Sequence, residues 1–429
     1  MKCWIVMFRS LLLLCGLAFY GVAARAQVSN TSSPYSRYGV GDREAIGYSK
    51  SLALGGVSLA VRDKNMMNAV NPAAFSSQDS MAFILDVALR GRYVVSQAGS
   101  GDSHTESAAN VHHVGMQFPV GRYFGVGMGF QPFTQMGYDV TRYETDPTLL
   151  SQIGNIRYHH HGNGGVNEAF LGLAFKPFSG VSIGVKGRFL FGSLNYAQDM
   201  YVPNHPVYAD VRFDDRVVLR GYGLTAGVQV TIPFSEQERL CLGAIVESTP
   251  TLNAEHRKEV SQIYLNNTFQ VAYNYLSRTE SLSYPLRYGG GVFYEGRNLS
   301  YGADVTLQDW SSFRYRNMAQ KYGGAYSVNA GLQWIPNPTD LRYYLKRVQY
   351  RFGAYYSQLP MLVNGQSIRD VGVTVGFGFP YKYFTSIFHT AFRLGMRGST
   401  SHGLVRELYG ELVLGVSLND VWFVKRKYQ

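Results

Sequence analysis

Apolar and polar side chains alternate along most of the chain after residue 80. In residues 371–379, valine and phenylalanine occupy the odd positions, while glycine and threonine occupy the even positions. Residues 348–356 and 388–396 alternate in a similar way. A side-chain period of two is that of β-strands with one apolar face. Such stretches predict about fourteen strands between Met81 and the C-terminus.

The connections between these strands alternate in length. Tight joints such as 119–122 and 177–180 separate long polar stretches such as 141–163 and 197–211. Short turns on one side and long loops on the other are typical of outer-membrane barrels. No segment after the N-terminus reaches the roughly 18 consecutive apolar residues of a transmembrane helix. A closed barrel is then the way in which this chain can cross a membrane.

Composition indicates where the apolar faces point. A soluble β-sandwich, the alternative, would carry many Lys, Glu and Asp on its wet face. Here only 16% of residues are charged, and the second face is mainly Gly, Ser, Thr and Asn, which suits a confined lumen. Aromatic residues such as Trp310 and Trp334 near strand ends match an interfacial girdle. The sequence predicts an all-β, transmembrane antiparallel β-barrel, with Val375 and its face toward lipid.

The first residues resemble an export signal. Lys2 and Arg9 precede an uncharged, leucine-rich run over 10–24, and small residues at Ala24 and Ala26 mark a cleavage site. We expect a signal peptide at 1–26. Its removal leaves one of the three cysteines, Cys241, and no intramolecular disulfide. The predicted location is the outer membrane of a Gram-negative bacterium, as a multi-pass barrel.

The charge balance is basic but dispersed. The chain has 40 Lys and Arg against 29 Asp and Glu, a net charge of +11 that falls to +8 when the three basic residues of the signal peptide are removed. These residues are scattered rather than clustered, which argues against a nucleic-acid partner. Outer-membrane lipid, lipopolysaccharide phosphates or acidic partners are the expected counterparts.

Residues 27–80 differ from the rest of the chain. They lack long alternation, and Gly55-Gly56 and Asn71-Pro72 punctuate them. Such punctuation implies tight turns and close backbone approach. A barrel of about fourteen strands has a lumen wider than its own side chains fill. The segment 27–80 is therefore predicted to be an N-terminal hatch or plug segment, ahead of the barrel at 81–429.

The motif in this segment resembles the hatch of the FadL/TodX family of outer-membrane transporters for long-chain fatty acids and aromatic hydrocarbons. Its pattern is glycine followed by small residues, an aspartate and Asn-Pro-Ala, here at Gly55, Gly56, Ala60, Asp63, Asn71, Pro72 and Ala73. The FadL-like barrel of type IX secretion shares it, and the opening over 33–39 resembles Bacteroidetes-type outer-membrane proteins. The resemblance implies hatch or gating roles for Gly55, Gly56, Asp63, Asn71 and Pro72.

Two functions stay open on this basis. The first is uptake or passage of a small hydrophobic ligand, which predicts a continuous apolar pocket near Gly55–Phe75. The second is a non-enzymatic accessory barrel with protein partners in a secretion or outer-membrane assembly machine. The segment carries Arg37, Asp42, Arg43 and other charges, whereas the transporter hatch is apolar, and this favours the second. A barrel enzyme would need a Ser–His pair that the sequence does not bring together.

Several short motifs suggest chemistry that their context does not support. Residues 180–184 spell G-x-S-x-G, but they lie in an alternating strand, so Ser182 is interpreted as a small lumen residue. Gly125–Gly129 alternates with apolar residues and is interpreted as a strand rather than a phosphate loop. His159–His161, with His112-His113, could bind a metal but is interpreted as part of a solvated loop. No catalytic residue, metal or cofactor is predicted.

Basic residues recur on the predicted inner faces. Those expected to face the lumen are Lys186, Arg188, Arg347, Arg351 and Arg393. They could line an anion-tolerant channel, or they could pair with carboxylates such as Asp304 and Asp370 and hold barrel and hatch together. Buried charges are normally paired, which favours the second alternative.

Overall fold

The computed structural model describes most of the chain after residue 32. The described residues are 33–45, 47–79, 81–99, 101, 103–203, 209–248, 251–263, 269–276, 280–313, 321–381 and 385–421. The predicted signal peptide and the basic C-terminal tail lie outside them.

Fourteen antiparallel strands of the described chain form one closed ring. We number them β1 Ala82–Gln97, β2 Ser103–Val120, β3 Phe124–Tyr143, β4 Arg157–Phe178, β5 Val181–Tyr201, β6 Asp210–Pro233, β7 Arg239–Glu247 with Thr251–Ile263, β8 Phe269–Leu276 with Glu280–Ser283 and Arg287–Glu295, β9 Leu299–Asp309, β10 Gly324–Trp334, β11 Gln349–Val363, β12 Gln366–Tyr381, β13 Ser386–Arg397 and β14 Arg406–Val421. Each strand pairs with its neighbours in sequence, and β14 pairs with β1 from Arg406 opposite Gln97 to Val421 opposite Ala82. The predicted all-β barrel is confirmed.

The alternation of side chains places the apolar residues on the outside. On β12, Val371 and Val373 are 41% and 54% exposed, whereas Thr374 between Val373 and Val375 is 3% exposed. Exposed aliphatic residues recur at the same height on other strands, as at Leu171, Leu173, Val185, Leu224, Leu307 and Leu394. They form a continuous apolar belt, the surface that meets lipid in a membrane barrel.

Short helices and strands lie between and inside the barrel strands. The α-helices are α1 at Ser49–Ala53 and α2 at Pro147–Ile153, and 3-10 helices lie at Pro34–Arg37, Pro72–Ser76 and Tyr344–Arg347. The two-residue strands Asp42–Arg43 and Lys321–Tyr322 pair with β3 and β11. Across the described residues, no helix has the length and apolarity to cross a bilayer.

The ladder between β2 and β3 is interrupted. These strands pair only from Val114 opposite Phe130 to Val120 opposite Phe124. Toward the long loops, residues 103–113 pair only with β1 and residues 131–143 with β4 and Asp42–Arg43, within the described chain. We call this part of the wall the β2–β3 seam. A bulged residue lies at its base on each strand, His112 on β2 and Phe133 on β3.

Candidate functional site: the plugged lumen and the β2–β3 seam

Residues 47–79 fit against the barrel wall because the wall offers glycine where their backbone approaches. A Cβ on Gly243 would lie 2.0 Å from the Leu59 carbonyl oxygen, and one on Gly353 would lie 2.2 Å from the Gly55 nitrogen. A Cβ on Gly184 would lie 2.3 Å from the Pro72 carbonyl carbon. The glycine-rich inner face thus makes room for the backbone of this segment, which we call the plug.

The family-like motif supplies the turns and hydrogen bonds of the plug. Gly55 and Gly56 have φ of +71° and +101°, a region that disfavours other residues. The Gly55 amide donates to Thr374 Oγ1 at 3.0 Å. Asn71 caps the 3-10 helix that begins at Pro72, accepting from the Ala73 amide, and donates to the Leu59 carbonyl at 2.8 Å. These predicted hatch residues therefore lie at contacts that fix the plug.

Asp304 on β9 holds the middle of the plug. Its Oδ2 accepts from the backbone amides of Ser58 at 2.6 Å and Leu59 at 2.8 Å. A carboxylate that accepts two backbone N–H groups makes charge-assisted bonds, which are stronger than neutral ones. The predicted partner carboxylate is in the lumen, but it binds plug backbone rather than a basic side chain.

One ion-pair cluster joins the wall to residues 42–45. Glu247 on β7 accepts from Arg43 at 2.7 Å, from Arg287 at 3.0 Å and also from Arg188. Lys186 and Arg188 both contact Glu168 on β4. Buried charges of both signs are thus interleaved, which reduces the cost of burying them.

A second cluster lies on β12–β14. Arg397 donates to Asp42 at 2.5 Å and to Asp370 at 3.3 Å. Arg393 contacts Glu411 at 3.4 Å and Asp370 at 3.9 Å. Together with the Glu247 cluster, these contacts favour the paired interpretation of the lumen charges over an open anion channel.

Two other predicted lumen residues differ in placement. Arg351 is fully buried on β11, where it donates to Gln333 at 2.9 Å and contacts His389 at 3.0 Å. Arg347 lies in the 3-10 helix before β11, with its guanidinium over the Tyr344 ring. The prediction of Arg347 on a wall strand was wrong, because the chain turns there and the strand begins at Gln349.

A cavity of about 210 Å³ lies between the plug and the wall. Charged side chains line much of it, including Asp42, Glu44, Arg90, Arg287, Asp370 and Arg393. Leu307, Trp310 and Leu359 are among the apolar residues that line it, and Gly55 and Gly56 border it. The continuous apolar pocket predicted beside Gly55–Phe75 was therefore wrong, because charges of residues 42–44 and of the wall enter the space there.

The apolar part of the lumen is closer to the long loops. Inward residues from β3 to β8 and from the loop after β9 form a buried cluster with Val40 of the N-terminal segment. Its members are Val40, Phe133, Met136, Tyr138, Val166, Leu190, Leu194, Tyr196, Val217, Leu219, Leu252, Ala254, Leu282, Tyr284, Trp310 and Phe313. Trp310 belongs both to this cluster and to the lining of the cavity. The apolar cluster therefore borders the cavity directly.

Residues 33–44 occupy the β3 side of the seam. Ser33 N donates to the Gly137 carbonyl at 2.9 Å, and Glu44 N donates to the Phe133 carbonyl at 3.1 Å. Across the seam, Asn110 Nδ2 of β2 donates to Gln135 Oε1 at 2.9 Å. The seam is thus bridged by side chains, and its β3 edge pairs with a strand that belongs to the N-terminal segment.

The seam residues could not be recognised from the sequence. Asn110, Gln135 and Phe133 have no motif, and their proximity depends on strand register. Pro132 was an available signal, because proline within sheets occurs at edges and bulges.

The other sequence motifs lie on barrel strands. Ser182 is a buried inward residue that donates to the Ala73 carbonyl at 2.7 Å, as a small lumen residue would. Gly125 and Gly127 lie on β3, where a Cβ would collide with Phe75. The prediction of a solvated loop at His159–His161 was wrong, since the three residues belong to β4.

Asp63 links two parts of the plug, its own loop and α1, near the short-turn end. Its carboxylate accepts from Lys50 Nζ at 2.6 Å and from the Asn65 amide at 2.9 Å. Burial pushes the pKa of Asp63 upward, but the Lys50 charge and these hydrogen bonds outweigh burial and hold the pKa below its ordinary value of 3.8. The ionised form therefore stabilises the plug, and this contribution is lost as the pH falls through the lowered pKa.

We expect Asp63→Asn to loosen the plug at neutral pH but not in strong acid. Loss of a charge-assisted bond costs about 1.5–3 kcal/mol, which should speed cleavage within 47–79 by about tenfold or more at pH 7. The measurement is limited proteolysis, with thermolysin at pH 7 and pepsin at about pH 2. The difference between wild type and variant should shrink as the pH falls through the lowered pKa of Asp63. An equal difference at both pH values would contradict this linkage.

The BamG family model matches residues 7–429 of the chain. The chain belongs to the BamG family. A comparison of this BamG-family chain with curated proteins finds no match.

Solved structures similar to the BamG-family chain are FadL-type transporters. The toluene transporter TodX of Pseudomonas putida has a TM-score of 0.59 and 14% identity, with 89% of this chain and 100% of TodX covered. The CymD monoaromatic hydrocarbon channel gives 0.57 and 12%, with 89% and 99% covered. The Ralstonia pickettii toluene transporter TbuX gives 0.56 and 14%, with 87% and 98% covered. The fold is therefore FadL-like, and the protein is an integral outer-membrane β-barrel.

Proposed function

We propose that this barrel passes small hydrophobic molecules across the outer membrane by a lateral route through the β2–β3 seam. The observation that carries the proposal is the interrupted ladder, which borders both the apolar cluster and the cavity. Phe133 belongs to the cluster and is the bulged residue of β3. Asp42–Arg43 lines the cavity and pairs with β3 in the seam.

The dimensions fit a monoaromatic ligand. An apolar cavity of about 150 Å³ is enough to hold benzene, and the cavity here is about 210 Å³. A ligand would enter from the long-loop end through the apolar cluster and leave sideways when residues 42–44 release β3. The charged plug below the cavity stays in place on this route. The similarity to toluene and monoaromatic hydrocarbon channels supports this substrate class.

Locking the seam should abolish passage. We would place cysteines at Asn110 and Gln135, whose side chains meet across the seam, and join them with a short bismaleimide. Uptake of radiolabelled toluene by intact Gram-negative cells should fall to the level of cells without the barrel. The same variant treated with a monofunctional maleimide is the control and should retain uptake. Full uptake by the cross-linked protein would exclude the seam as the route.

A second candidate is a non-enzymatic accessory barrel in a protein secretion or outer-membrane assembly machine. The specific observation in its favour is the ion-paired N-terminal segment, in which Arg43, Asp42 and Lys50 each contact an opposite charge. A permanently anchored plug suits a barrel whose surfaces bind other proteins. Gentle detergent extraction followed by mass spectrometry separates the two, because stoichiometric partners support the accessory role and a lone barrel supports passage.

The remaining assignments belong to the same proposal. Residues 27–80 act as the plug segment, with Gly55, Gly56, Asp63, Asn71 and Pro72 as its fixing points. Outer-membrane lipid and lipopolysaccharide surround the belt. A non-enzymatic role is supported by the environment of Ser182, whose hydroxyl is hydrogen-bonded to the Ala73 carbonyl and to the Ser76 hydroxyl.

A further inference from the structure

Two histidines and an aspartate converge on the outer face of the barrel, above the apolar belt. His159 and His161 are two residues apart on β4, so they share a face, and Asp199 of β5 lies directly opposite His159 in the ladder. Phe191 on the same face of β5 belongs to the apolar part of the strand. Asp199 is eight residues further along, roughly 26 Å at about 3.3 Å per residue. The group therefore lies at the long-loop end, which faces the outside of the cell in outer-membrane barrels.

The distances suit three ligands of one ion. Asp199 Oδ2 lies 3.6 Å from His159 Nδ1 and 3.9 Å from His161 Nδ1. The three ligand atoms all lie within 4.8 Å of one another. Bonds of about 2.0–2.2 Å in a tetrahedral zinc site place ligand atoms roughly 3.3–3.6 Å apart. A small contraction of side chains would complete the site.

The hydrogen bonding of His159 leaves one ring nitrogen for a cation. His159 Nε2 contacts Asp139 Oδ1 at 2.8 Å. A carboxylate accepts, so this nitrogen carries the proton, and Nδ1 is the ring nitrogen that faces Asp199. A metal ion between Nδ1 and Asp199 Oδ2 would bind both atoms. The contact with Asp139 is also the usual support of a metal-bound histidine.

Two polar atoms of the group are buried without a hydrogen bond. Among the described residues, neither His161 Nδ1 nor Asp199 Oδ1 has a hydrogen-bond partner. Asp199 is only 4% exposed. Buried polar atoms of this kind usually have a partner, and a metal ion bound between His161 and Asp199 would supply one.

Arg212 contacts this group and must turn away before a metal ion can bind. Arg212 of β6 lies 3.6 Å from Asp199 Oδ1 and donates to His161 Nε2 at 3.2 Å. It also pairs with Asp214 at 3.0 Å, and its side chain is 28% exposed. Arg212 can therefore turn toward Asp214 and leave His161 free to bind through Nδ1. Asp199 then faces the ion with its negative charge, and Asp139 adds a second negative charge behind the His159 ring.

We propose that His159, His161 and Asp199 bind a divalent transition metal ion of the Zn²⁺ class, with Asp139 as a positioning residue. Two imidazoles and one carboxylate are a donor set typical of zinc, with a fourth position left for water or another ligand. The ion would tie β4 to β5 above the membrane. This site lies outside the lumen and does not depend on the passage route.

Cobalt and zinc titrations test the site on the purified full-length barrel in detergent, produced without a polyhistidine tag. We expect one equivalent of Co²⁺ to give the visible absorption of a tetrahedral complex and Zn²⁺ to displace it. His161→Ala and Asp199→Ala should lose this signal, and Asp139→Asn should weaken Zn²⁺ binding by about 10–100-fold. Retained barrel fold in each variant is checked by circular dichroism and heat-modifiable mobility.

His160→Ala is the matched control, because His160 lies between the two ligands in sequence but on the opposite face of β4. It should bind Co²⁺ and Zn²⁺ as the wild type does. The proposal is overturned if the wild type shows no saturable binding, if His161→Ala and Asp199→Ala bind equally well, or if His160→Ala loses binding to the same extent.

Discussion

Val375→Arg should remove most of the barrel from the outer membrane. Val375 lies on the outward face of β12, midway between Arg369, which carries the last charge on that face toward the long loops, and Phe379 near the short-turn end. An arginine near the bilayer midplane of such a barrel costs about 2–4 kcal/mol. That is a large share of the roughly 5–15 kcal/mol by which proteins are stable. The measurement is the yield of folded, heat-modifiable protein in outer-membrane fractions.

Gln358→Arg is the control for this substitution. Gln358 is opposite Arg369 in the β11–β12 ladder and on the same outward face, at the long-loop border of the belt. The cost of arginine falls to about 0–1 kcal/mol near the interface, so this variant should reach the membrane at nearly wild-type yield. Equal yields for both variants would mean that the belt does not face acyl chains.

The barrel could be predicted from sequence because its signal is local and repeated. On β12, the polarity of each residue from Val371 to Phe379 indicates whether its side chain points outward or inward, and no knowledge of other strands is needed. The small residues on the inner face had a second cause, which sequence alone did not show. Gly184, Gly243 and Gly353 are glycines because plug backbone lies against them. That reason depends on which plug residue meets which strand.

The N-terminal segment was predicted as a unit, but its contacts with the wall were not. The charges of Asp42 and Arg43 indicated that the segment is polar, yet their partners Arg397 and Glu247 lie more than 200 residues away in sequence. No spacing rule connects such residues. The seam could not be predicted from sequence spacing either. It arises from one extra residue on each of two strands, and a single bulge changes every contact beyond it.

The histidine group shows a prediction that failed at one step. Alternation on a strand places His159 and His161 together, but the surrounding glycine and asparagine favoured a loop, and a loop removes that relation. The third ligand, Asp199, becomes visible only in the register between β4 and β5. Local composition thus misled the interpretation where strands continue beyond the membrane as an outer sheet.

Gly243→Ala should displace the plug while leaving the barrel closed. The new methyl group would lie 2.0 Å from the Leu59 carbonyl oxygen and 2.5 Å from its carbonyl carbon. Both are backbone atoms, and Leu59 N is held by Asp304, so a side-chain rotation cannot relieve the clash. Overpacking of this kind costs about 1–3 kcal/mol and occasionally more. We expect faster proteolysis within 47–79 and larger, noisier conductance in planar bilayers.

Gly290→Ala separates this effect from a general loss of β-sheet stability. Gly290 lies on β8 beside Gly291, which is opposite Gly243 in the ladder, but a Cβ at Gly290 would meet nothing within 4 Å. The variant should show the wild-type conductance and protease pattern, because its methyl group points away from the plug. If Gly243→Ala behaves in the same way, Leu59 does not rest on the wall at that position, and the anchoring of the plug by close glycine contact would have to be abandoned.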